Sequence, residues 1–334
     1  MTISPFTRIG VLGAGAWGTA LAQTARRAGA EVMIWARSPE VARAIDQDHA
    51  NPNFLPGITL DPSIRGTSDL ADIAAHAQAL LLVVPTQYLR GVAEGLAPIL
   101  PRETPVVIAS KGVEIGTGAT MEEVIADCLP GRPQAVLSGP TFAIEVARGL
   151  PTAVTLASRD GNLGARLVAT LGTPSFRPYL SDDPLGCEIG GAVKNVLAIA
   201  CGIVWGRGLG DNARAALITR GIAEMMRLAS AMGARPETLM GLSGVGDLVL
   251  TCTAMQSRNC SLGMALGQGQ NLAEILAGRR SVAEGVATSQ ALAGLARKMD
   301  VEMPIVFAVD AILHRGAGID ETIRQLLARP FKAE

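Results

Sequence analysis

The chain of 334 residues carries 29 basic and 30 acidic side chains, so its formal net charge at pH 7 is −1. Hydrophobic residues make up 49% and charged residues 18%, which excludes a disordered or fibrous protein and predicts about two globular domains. The near-zero net charge argues against a nucleic-acid-binding protein, which would need a basic face, so we expect no nucleic-acid partner.

The first half of the sequence alternates short apolar runs with stretches of helical spacing. Six of the runs are predicted strands: Ile9–Leu12, Val32–Trp35, Leu80–Val84, Val106–Ala109, Ala135–Leu137 and Ala153–Leu156. Helical spacing is clearest at Ala16–Ala28, Pro39–Asp48 and Tyr88–Leu100. Apolar strands that alternate with helices are typical of a parallel sheet covered on both faces, whose ligands bind beyond the carboxyl ends of the strands.

From Pro184 onward the pattern changes to long helical repeats rich in Ala, Leu, Ile and Met. The clearest predicted helices are Ala213–Met232, Leu262–Leu266, Thr288–Met299 and Ile305–His314. The predicted fold class is therefore α/β. A Rossmann-type, mostly parallel sheet domain is expected over residues 1–183, followed by an all-helical C-terminal domain over residues 184–334.

Several absences narrow the class of protein. The longest apolar stretch, Ile189 to Trp205, is interrupted by Lys194 and Asn195, so no membrane span is predicted. Residues 1–7 lack the basic and apolar regions of a secretory signal. The five cysteines form no CxxC pair, which favours reduced thiols and a cytoplasmic protein. The three histidines occupy no metal-binding motif, so no metal site is predicted.

A glycine-rich turn follows the first predicted strand and precedes a helix. It reads Gly13-Ala14-Gly15-Ala16-Trp17-Gly18, a G-x-G-x-x-G motif in the context that dinucleotide binding requires. Gly13 permits the turn, Gly15 lets a pyrophosphate approach the backbone, and Gly18 lets the helix pack on the strand. The helix N-terminus offers free N–H groups to that anion. A purely structural turn remains the alternative.

Arg37 and Ser38 follow the second predicted strand, where an NAD-selective site carries Asp or Glu. We expect no carboxylate there that would repel a 2′-phosphate, and one guanidinium that would attract it. The predicted cofactor is therefore NADP or NAD, with NADPH accepted at least as well as NADH. A solvated surface arginine is the alternative for Arg37.

Lys194 is a candidate general acid or base because it stands in an apolar helix. Loss of solvation there disfavours the ammonium and lowers the pKa of the lysine. The alternative is a lysine whose ammonium reaches solvent along its alkyl chain.

Three further polar groups are candidates for the substrate site. Lys111 follows the fourth predicted strand, at the carboxyl edge of the sheet. Asp247 stands in a glycine-bounded turn, able to hold an ammonium. Ser257-Arg258-Asn259 sets a guanidinium fork between two neutral hydrogen-bonding groups, which suits a phosphate. Each could also be an ordinary turn or surface residue.

Longer blocks carry a resemblance that covers nearly the whole chain. In the first half they are GAGAWGTALA at Gly13–Ala22, NPNFLPGI at Asn51–Ile58, VVPTQ at Val83–Gln87, SKGVE at Ser110–Glu114 and LSGPTFAIEVARGLPTAV at Leu137–Val154. In the second half they are Gly186–Gly221, GLSGVGDLVLTC at Gly241–Cys252, SRN and VAEGVATS at Val282–Ser289. In this order the blocks resemble the bacterial NAD(P)-dependent glycerol-3-phosphate dehydrogenases.

The resemblance implies reversible hydride transfer between a nicotinamide cofactor and dihydroxyacetone phosphate, giving sn-glycerol 3-phosphate for phospholipid synthesis. It implies that Lys194 is the catalytic proton donor and acceptor. The substrate positions that it implies are Lys111, Gly139, Thr141, Lys194, Asp247, Ser257, Arg258 and Asn259. The cofactor positions are Ala16, Trp17, Arg37, Lys111, Ala143, Arg258, Val282 and Glu284, beside the motif glycines Gly13, Gly15 and Gly18.

One departure from the family pattern is Cys260-Ser261 after SRN, where members often carry basic or aromatic residues. The rival interpretation is another lysine-using Rossmann dehydrogenase, of the β-hydroxyacid or ketopantoate reductase type. A nucleotide-sensing regulator would need a basic DNA-reading module, which this composition does not offer. The sequence leaves the oligomeric state open, with a homodimer as one option.

Overall fold

The computed structural model describes residues 4–279 and 282–330. Within them the first half of the chain forms one eight-stranded sheet with strand order β3-β2-β1-β4-β5-β6-β7-β8. The strands are β1 (Arg8–Leu12), β2 (Glu31–Trp35), β3 (Arg65–Thr67), β4 (Ala79–Leu82), β5 (Val106–Ile108), β6 (Gln134–Ser138), β7 (Thr152–Ala157) and β8 (Phe176–Ser181). The order reverses between β1 and β4, which is where ligands enter a doubly wound sheet.

Seven helices accompany the sheet: α1 (Ala16–Arg27), α2 (Pro39–Gln47), α3 (Leu70–His76), α4 (Leu89–Leu96), α5 (Met121–Cys128), α6 (Ala143–Arg148) and α7 (Gly161–Leu171). Successive side chains of a strand point to opposite faces, so each central strand feeds two apolar cores. In β4, Leu81 packs into one core and Leu80 and Leu82 into the other. The continuous apolar runs of the sequence reflect this burial on both faces.

Helices make up the second half of the described chain, and no strand follows Ser181 there. They are α8 (Pro184–Gly206), α9 (Gly210–Met232), α10 (Pro236–Leu239), α11 (Asp247–Thr253), α12 (Arg258–Gly267), α13 (Leu272–Ala277), α14 (Glu284–Lys298), α15 (Pro304–His314) and α16 (Ile319–Leu327). The predicted fold class, a mostly parallel Rossmann-type sheet followed by helices, is confirmed. We propose the domain boundary at residues 183/184, where α8 begins after the last strand.

The sheet departs from the prediction in two strands and one direction. β3 and β8 were not predicted, because β3 is only three polar or small residues long and β8 contains Pro178. β8 is an edge strand, where the missing N–H of a proline is tolerated. β7 also runs antiparallel to β6, whereas the remaining neighbours pair in parallel. Apolar runs do not encode strand direction, so this reversal was invisible in the sequence.

Close contact between α8 and α12 organises the helical half. A Cβ added at Gly202 would lie 2.1 Å from the Cys260 carbonyl oxygen, and one at Gly263 would lie 2.0 Å from that of Ile199. Neither distance is possible for a real side chain, so the two helix backbones approach as closely as they do only because these positions are glycine. We call Gly202, Gly206, Gly263 and Gly267 the glycine seam.

The apolar character of α8 is explained by its place in the core. Among the described residues α8 is long and apolar enough to cross a bilayer, and the bent pair Pro236–Thr253 with Arg258–Gly267 also qualifies if it is counted as one span. The apolar window of α8 is wholly buried inside the protein. A helix that is hydrophobic all round is the expected central helix of a bundle.

Candidate active site

The glycine-rich turn has the geometry that its motif predicts. Gly13 adopts φ +118°, in the region that favours glycine, and an added Cβ there would lie 2.8 Å from the Val83 carbonyl. An added Cβ at Gly18 would lie 1.8 Å from the Gly13 carbonyl oxygen, so α1 can pack on β1 only with glycine at this position. Nothing lies within 4 Å of the Cβ position of Gly15. The protein itself therefore gives no reason for glycine there, whereas a closely approaching ligand would.

Other groups around the turn fit a dinucleotide diphosphate. α1 begins without a capping side chain and without an acidic residue in its first turn, so its N-terminal N–H groups favour an anion. Trp17 Nε1 is buried and has no hydrogen-bond partner among the described residues. Buried donors are normally satisfied, so this N–H is available to a ligand bound over the turn. Ala16, Trp17 and Ala143 at the start of α6 pack against the same apolar core.

Arg37 lies at the end of β2 and is exposed. Its guanidinium carbon is 5.7 Å from the centre of the Tyr88 ring, within cation–π range. Ser38 caps α2, and its hydroxyl donates to the carboxylate of Glu40 in the first turn of that helix. The role of Arg37 toward a 2′-phosphate stays a prediction.

Lys194, Lys111 and Asp247 meet at the carboxyl edge of the sheet. Lys194 Nζ donates to Asp247 Oδ1 at 2.7 Å and to Thr251 Oγ1 at 3.1 Å. Lys111 Nζ donates to Asp247 Oδ2 at 2.8 Å and to the Gly139 carbonyl at 3.0 Å. The carboxylate of Asp247 is fully buried and each of its oxygens holds one ammonium. We call these three residues the lysine–aspartate cluster.

Burial sets the protonation of this cluster. Loss of solvation lowers the pKa of Lys194 to about 8, although the neighbouring Asp247 carboxylate opposes the shift. Burial by itself would raise the pKa of Asp247, but the two ammonium groups outweigh that effect and the net pKa lies below its usual value. Lys194 is 7% exposed, so its ammonium does not reach solvent freely and the alternative of a surface-directed lysine does not hold. A buried amine that titrates near neutral pH is suited to proton transfer.

A second buried network links α8, α12 and α14. Asn195 Oδ1 accepts from Asn259 Nδ2 at 2.9 Å, and Asn259 Oδ1 accepts from the Gly285 N–H at 3.0 Å. The side-chain amide of Asn259 therefore hydrogen-bonds to both neighbouring helices. Its oxygen accepts from Gly285, and one of its two N–H groups donates to Asn195. Ser257 caps α12, its hydroxyl accepting from the Cys260 N–H at 3.2 Å. These bonds fix the start of α12, where Arg258 is the first residue and is exposed.

The other predicted positions lie around these groups. Thr141 Oγ1 donates to the Gly139 carbonyl at 3.3 Å, directly beside the Lys111 ammonium. Burial raises the pKa of Glu284, the first residue of α14, and the positive charge of Arg258 opposes that rise. Val282 is 47% exposed at the same end of α14. Cys260, at which the chain departs from the family pattern, is fully buried in the helical core.

The comparisons with known proteins agree along the whole chain. The family model for the N-terminus of NAD-dependent glycerol-3-phosphate dehydrogenase matches residues 8–164, and the model for its C-terminus matches residues 183–324. The curated glycerol-3-phosphate dehydrogenase (NAD(P)+) of Rhodospirillum rubrum is 60% identical over 326 residues, which cover 98% of this chain and 93% of that protein. The chain belongs to the NAD-dependent glycerol-3-phosphate dehydrogenase family.

Structural similarity separates this family from the rival interpretation. A 2.1 Å crystal structure of glycerol-3-phosphate dehydrogenase from Coxiella burnetii matches with a TM-score of 0.93 at 40% identity, covering 96% of this chain and 98% of that one. A ketopantoate reductase from Ralstonia eutropha matches with a TM-score of 0.59 at 16% identity, covering 94% and 99%. The second likeness is one of fold alone, and the ketopantoate reductase alternative is not favoured.

Three residues of this family member were not given roles by sequence reasoning. Asn51 is buried, and its Nδ2 donates to the Ala14 carbonyl at 2.9 Å and to Thr19 Oγ1 at 2.8 Å, which braces the glycine-rich turn. Thr251 accepts from Lys194, and Asn195 supports Asn259. Asn51 lies in the NPNFLPGI block, and Thr251 lies one helical turn after Asp247, so the sequence contained a signal for each of these two residues.

No group of three or more His, Cys, Asp or Glu within the described residues could hold a metal ion.

Proposed function

We propose that this protein is an NAD(P)H-dependent oxidoreductase that reversibly reduces dihydroxyacetone phosphate to sn-glycerol 3-phosphate, which feeds glycerophospholipid synthesis. The observation that carries the proposal is the lysine–aspartate cluster, which places two ammonium groups at the sheet edge that also holds the glycine-rich turn. Membership of the family indicates which reaction is catalysed, and the cluster indicates which residues transfer the proton.

The proton chemistry follows from the geometry of the cluster. Reduction of a ketone builds negative charge on its oxygen, and a pre-placed cation or proton donor lowers the barrier. We assign Lys194 as the donor, because its pKa of about 8 lets it give up a proton near neutral pH. Asp247 holds the ammonium in place, and Lys111 adds a second positive charge beside the substrate oxygen.

The cofactor would be held by groups already described. The diphosphate would lie over Gly15 and the N-terminus of α1, with Trp17 Nε1 beside it. The adenosine end would meet Arg37, and the far end would approach Arg258 and Glu284. Bound there, the nicotinamide supplies the hydride for the reaction.

We assign the substrate phosphate to Arg258, with Ser257 and Asn259 beside it. Arg258 is exposed at the N-terminus of α12, where a guanidinium and helix N–H groups together favour an anion. Replacement Arg258→Ala should lower kcat/KM for dihydroxyacetone phosphate at least about tenfold, since a charge-assisted hydrogen bond contributes about 1.5–3 kcal/mol. Unphosphorylated dihydroxyacetone should lose much less. Equal losses for the two substrates would show that Arg258 does not bind the phosphate.

One assay tests the reaction itself. Purified protein is given dihydroxyacetone phosphate with NADPH or NADH, and cofactor oxidation is followed by absorbance, with ketopantoate as the comparison substrate. We expect turnover of dihydroxyacetone phosphate with both cofactors and none of ketopantoate. Turnover of ketopantoate alone would instead establish the rival reductase, and turnover of neither would overturn the proposal.

We further propose a cytoplasmic homodimer. The five free thiols, four of them buried, suit a reducing compartment. Exposed apolar side chains on the helical half, Trp205 and Leu209 among them, offer surface for a second copy. Sedimentation equilibrium at micromolar concentration should give twice the mass of the chain, and a monomer there would contradict the dimer. Fractionation of cells that express the protein tests the compartment.

A further inference from the structure

A second arginine lies against the first turn of α12. Arg279 follows α13 after Gly278, 21 residues beyond Arg258 in the chain. Its Nη1 donates to the Arg258 carbonyl at 2.7 Å, and its Nη2 donates to Ser261 Oγ at 3.2 Å. The Ser261 hydroxyl itself donates to the same carbonyl at 3.2 Å. The guanidinium of Arg279 thus fixes the backbone of the residue to which we assign the substrate phosphate.

The two guanidiniums lack a paired carboxylate. Within residues 4–279 and 282–330, neither Arg258 nor Arg279 forms an ion pair. Loss of solvation lowers the pKa of Arg279, and the nearby positive charge of Arg258 lowers it further. For Arg258, loss of solvation lowers the pKa and the charge of Glu284 opposes that shift. Since an arginine stays protonated in a protein, the repulsion between the two cations persists until an anion binds.

The position of the pair on α12 adds to this positive charge. The helix begins at Arg258 after its cap Ser257, and its first turn contains no acidic residue. The N–H groups at a helix N-terminus carry partial positive charge, which disfavours a cation there and favours an anion. Two arginines at this end are therefore unfavourable to each other when alone and favourable together when a phosphate lies between them and the helix.

We infer that Arg279 is a positioning residue for the substrate phosphate, which holds Arg258 at the start of α12 and adds a second positive charge beside it. The inference rests on the proposed function, since it concerns the phosphate of the proposed substrate. The bond from Arg279 goes to the backbone of Arg258, so it leaves the Arg258 guanidinium free for phosphate oxygens. Ser261 is one of the two positions at which this chain departs from the family pattern, so the contact is a feature of this chain's own sequence.

The test compares three variants with the wild type. Arg279→Gln removes the charge, Arg279→Lys keeps the charge but loses the two-pronged contact, and Arg177→Gln removes an exposed arginine on β8 as the matched control. Each protein, saturated with NADPH, is titrated calorimetrically with glycerol 3-phosphate, which NADPH cannot oxidise, and with inorganic phosphate. Binding of NADPH alone is measured separately. Steady-state kinetics give kcat and KM for dihydroxyacetone phosphate and kcat/KM for unphosphorylated dihydroxyacetone.

We expect Arg279→Gln to weaken binding of glycerol 3-phosphate and of inorganic phosphate roughly three- to tenfold, because one positive charge and the hold on Arg258 are lost. KM for dihydroxyacetone phosphate should rise by a similar factor, whereas kcat should change less than about twofold. The loss of affinity should shrink at high salt. Arg279→Lys should lie between Arg279→Gln and the wild type. Binding of NADPH and use of dihydroxyacetone should stay as in the wild type, and Arg177→Gln should change nothing.

Unchanged affinity for glycerol 3-phosphate in Arg279→Gln overturns the inference. An equal loss for NADPH would indicate the cofactor phosphates instead, and an equal loss for dihydroxyacetone would indicate a general distortion of α12; each overturns it as well. If Arg279→Gln does not fold, Arg279→Lys carries the test, and wild-type affinity in that variant overturns the positioning role. A wild type that binds glycerol 3-phosphate without reducing dihydroxyacetone phosphate overturns the proposed function alone, and one that binds neither glycerol 3-phosphate nor inorganic phosphate overturns both.

Discussion

Asp247 is the residue on which the proposed chemistry depends. Removal of one partner from a buried ion pair leaves an uncompensated charge, which is far more costly than loss of an exposed pair. Asp247 is fully buried with an ammonium on each carboxylate oxygen. The carboxylate therefore fixes the positions of Lys111 and Lys194 relative to each other, and with them the place where a substrate oxygen can sit.

Replacement Lys194→Ala tests the assignment of the proton donor. We expect kcat for dihydroxyacetone phosphate reduction to fall by roughly 10²–10⁴, the usual range for loss of a general acid. Binding of NADPH, measured by titration, should change little, because Lys194 contacts Asp247 and Thr251 and not the glycine-rich turn. Lys298→Ala, in the exposed last turn of α14, is the matched control. A Lys194 variant that keeps more than about a third of wild-type kcat would exclude it from proton transfer.

The pH profile gives a second test at this scale. Reduction needs Lys194 as the ammonium, so kcat/KM for dihydroxyacetone phosphate should decline as pH rises through about 8, and oxidation of glycerol 3-phosphate should increase over the same range. The Asp247 carboxylate raises the pKa of Lys194 against the effect of burial. Asp247→Asn should therefore move the decline to lower pH as well as lower the rate. A decline that stays at the same pH would mean that a group other than Lys194 titrates.

At the scale of helices and strands, the sequence predicts the strands whose residues are buried on both faces of the sheet. Apolar runs predicted β1, β2, β4, β5, β6 and β7, because these strands are covered on both faces. Short or edge strands such as β3 and β8 bury little, so their sequences carry no comparable pattern. Among site residues, motifs located Lys111, Lys194 and Asp247, whereas the contacts of Asn51 with Ala14 and Thr19 join residues 37 and 32 positions apart. Single-sequence patterns do not show which distant residues meet.

The glycine seam is testable through paired substitutions. Gly202→Ala would force a Cβ against the Cys260 carbonyl, and overpacking of this kind costs about 1–3 kcal/mol of stability or more. Gly294→Ala is the control: it lies within α14 with open space around its Cβ position, so it should stabilise by roughly 0.5–1 kcal/mol. Urea unfolding measures both free energies. If Gly202→Ala were as stable as the wild type, α8 and α12 could move apart without lowering the free energy of unfolding.

At the scale of the whole molecule, cofactor binding and folding stability are linked. A ligand that binds only the folded state at about 100 times its Kd adds about 2.7 kcal/mol to the free energy of unfolding. We expect NADPH to raise the melting temperature of the wild type by calorimetry. Gly15→Ala should gain much less at the same concentration, since its Cβ would fill the open space over the turn. An equal gain in both proteins would place the cofactor elsewhere.

The three residues of the lysine–aspartate cluster lie far apart in the sequence, so the ribosome adds them to the chain at well-separated times. Lys111 precedes Asp247 by 136 residues, and Lys194 precedes it by 53. At about 5–20 residues per second, a ribosome exposes the nucleotide-binding turn many seconds before the carboxylate. Until α11 docks, Lys194 has no carboxylate partner and burial of its ammonium in α8 is unfavourable. A nascent chain thus forms its nucleotide-binding half first, and its proton-transfer site only when α11 docks on α8.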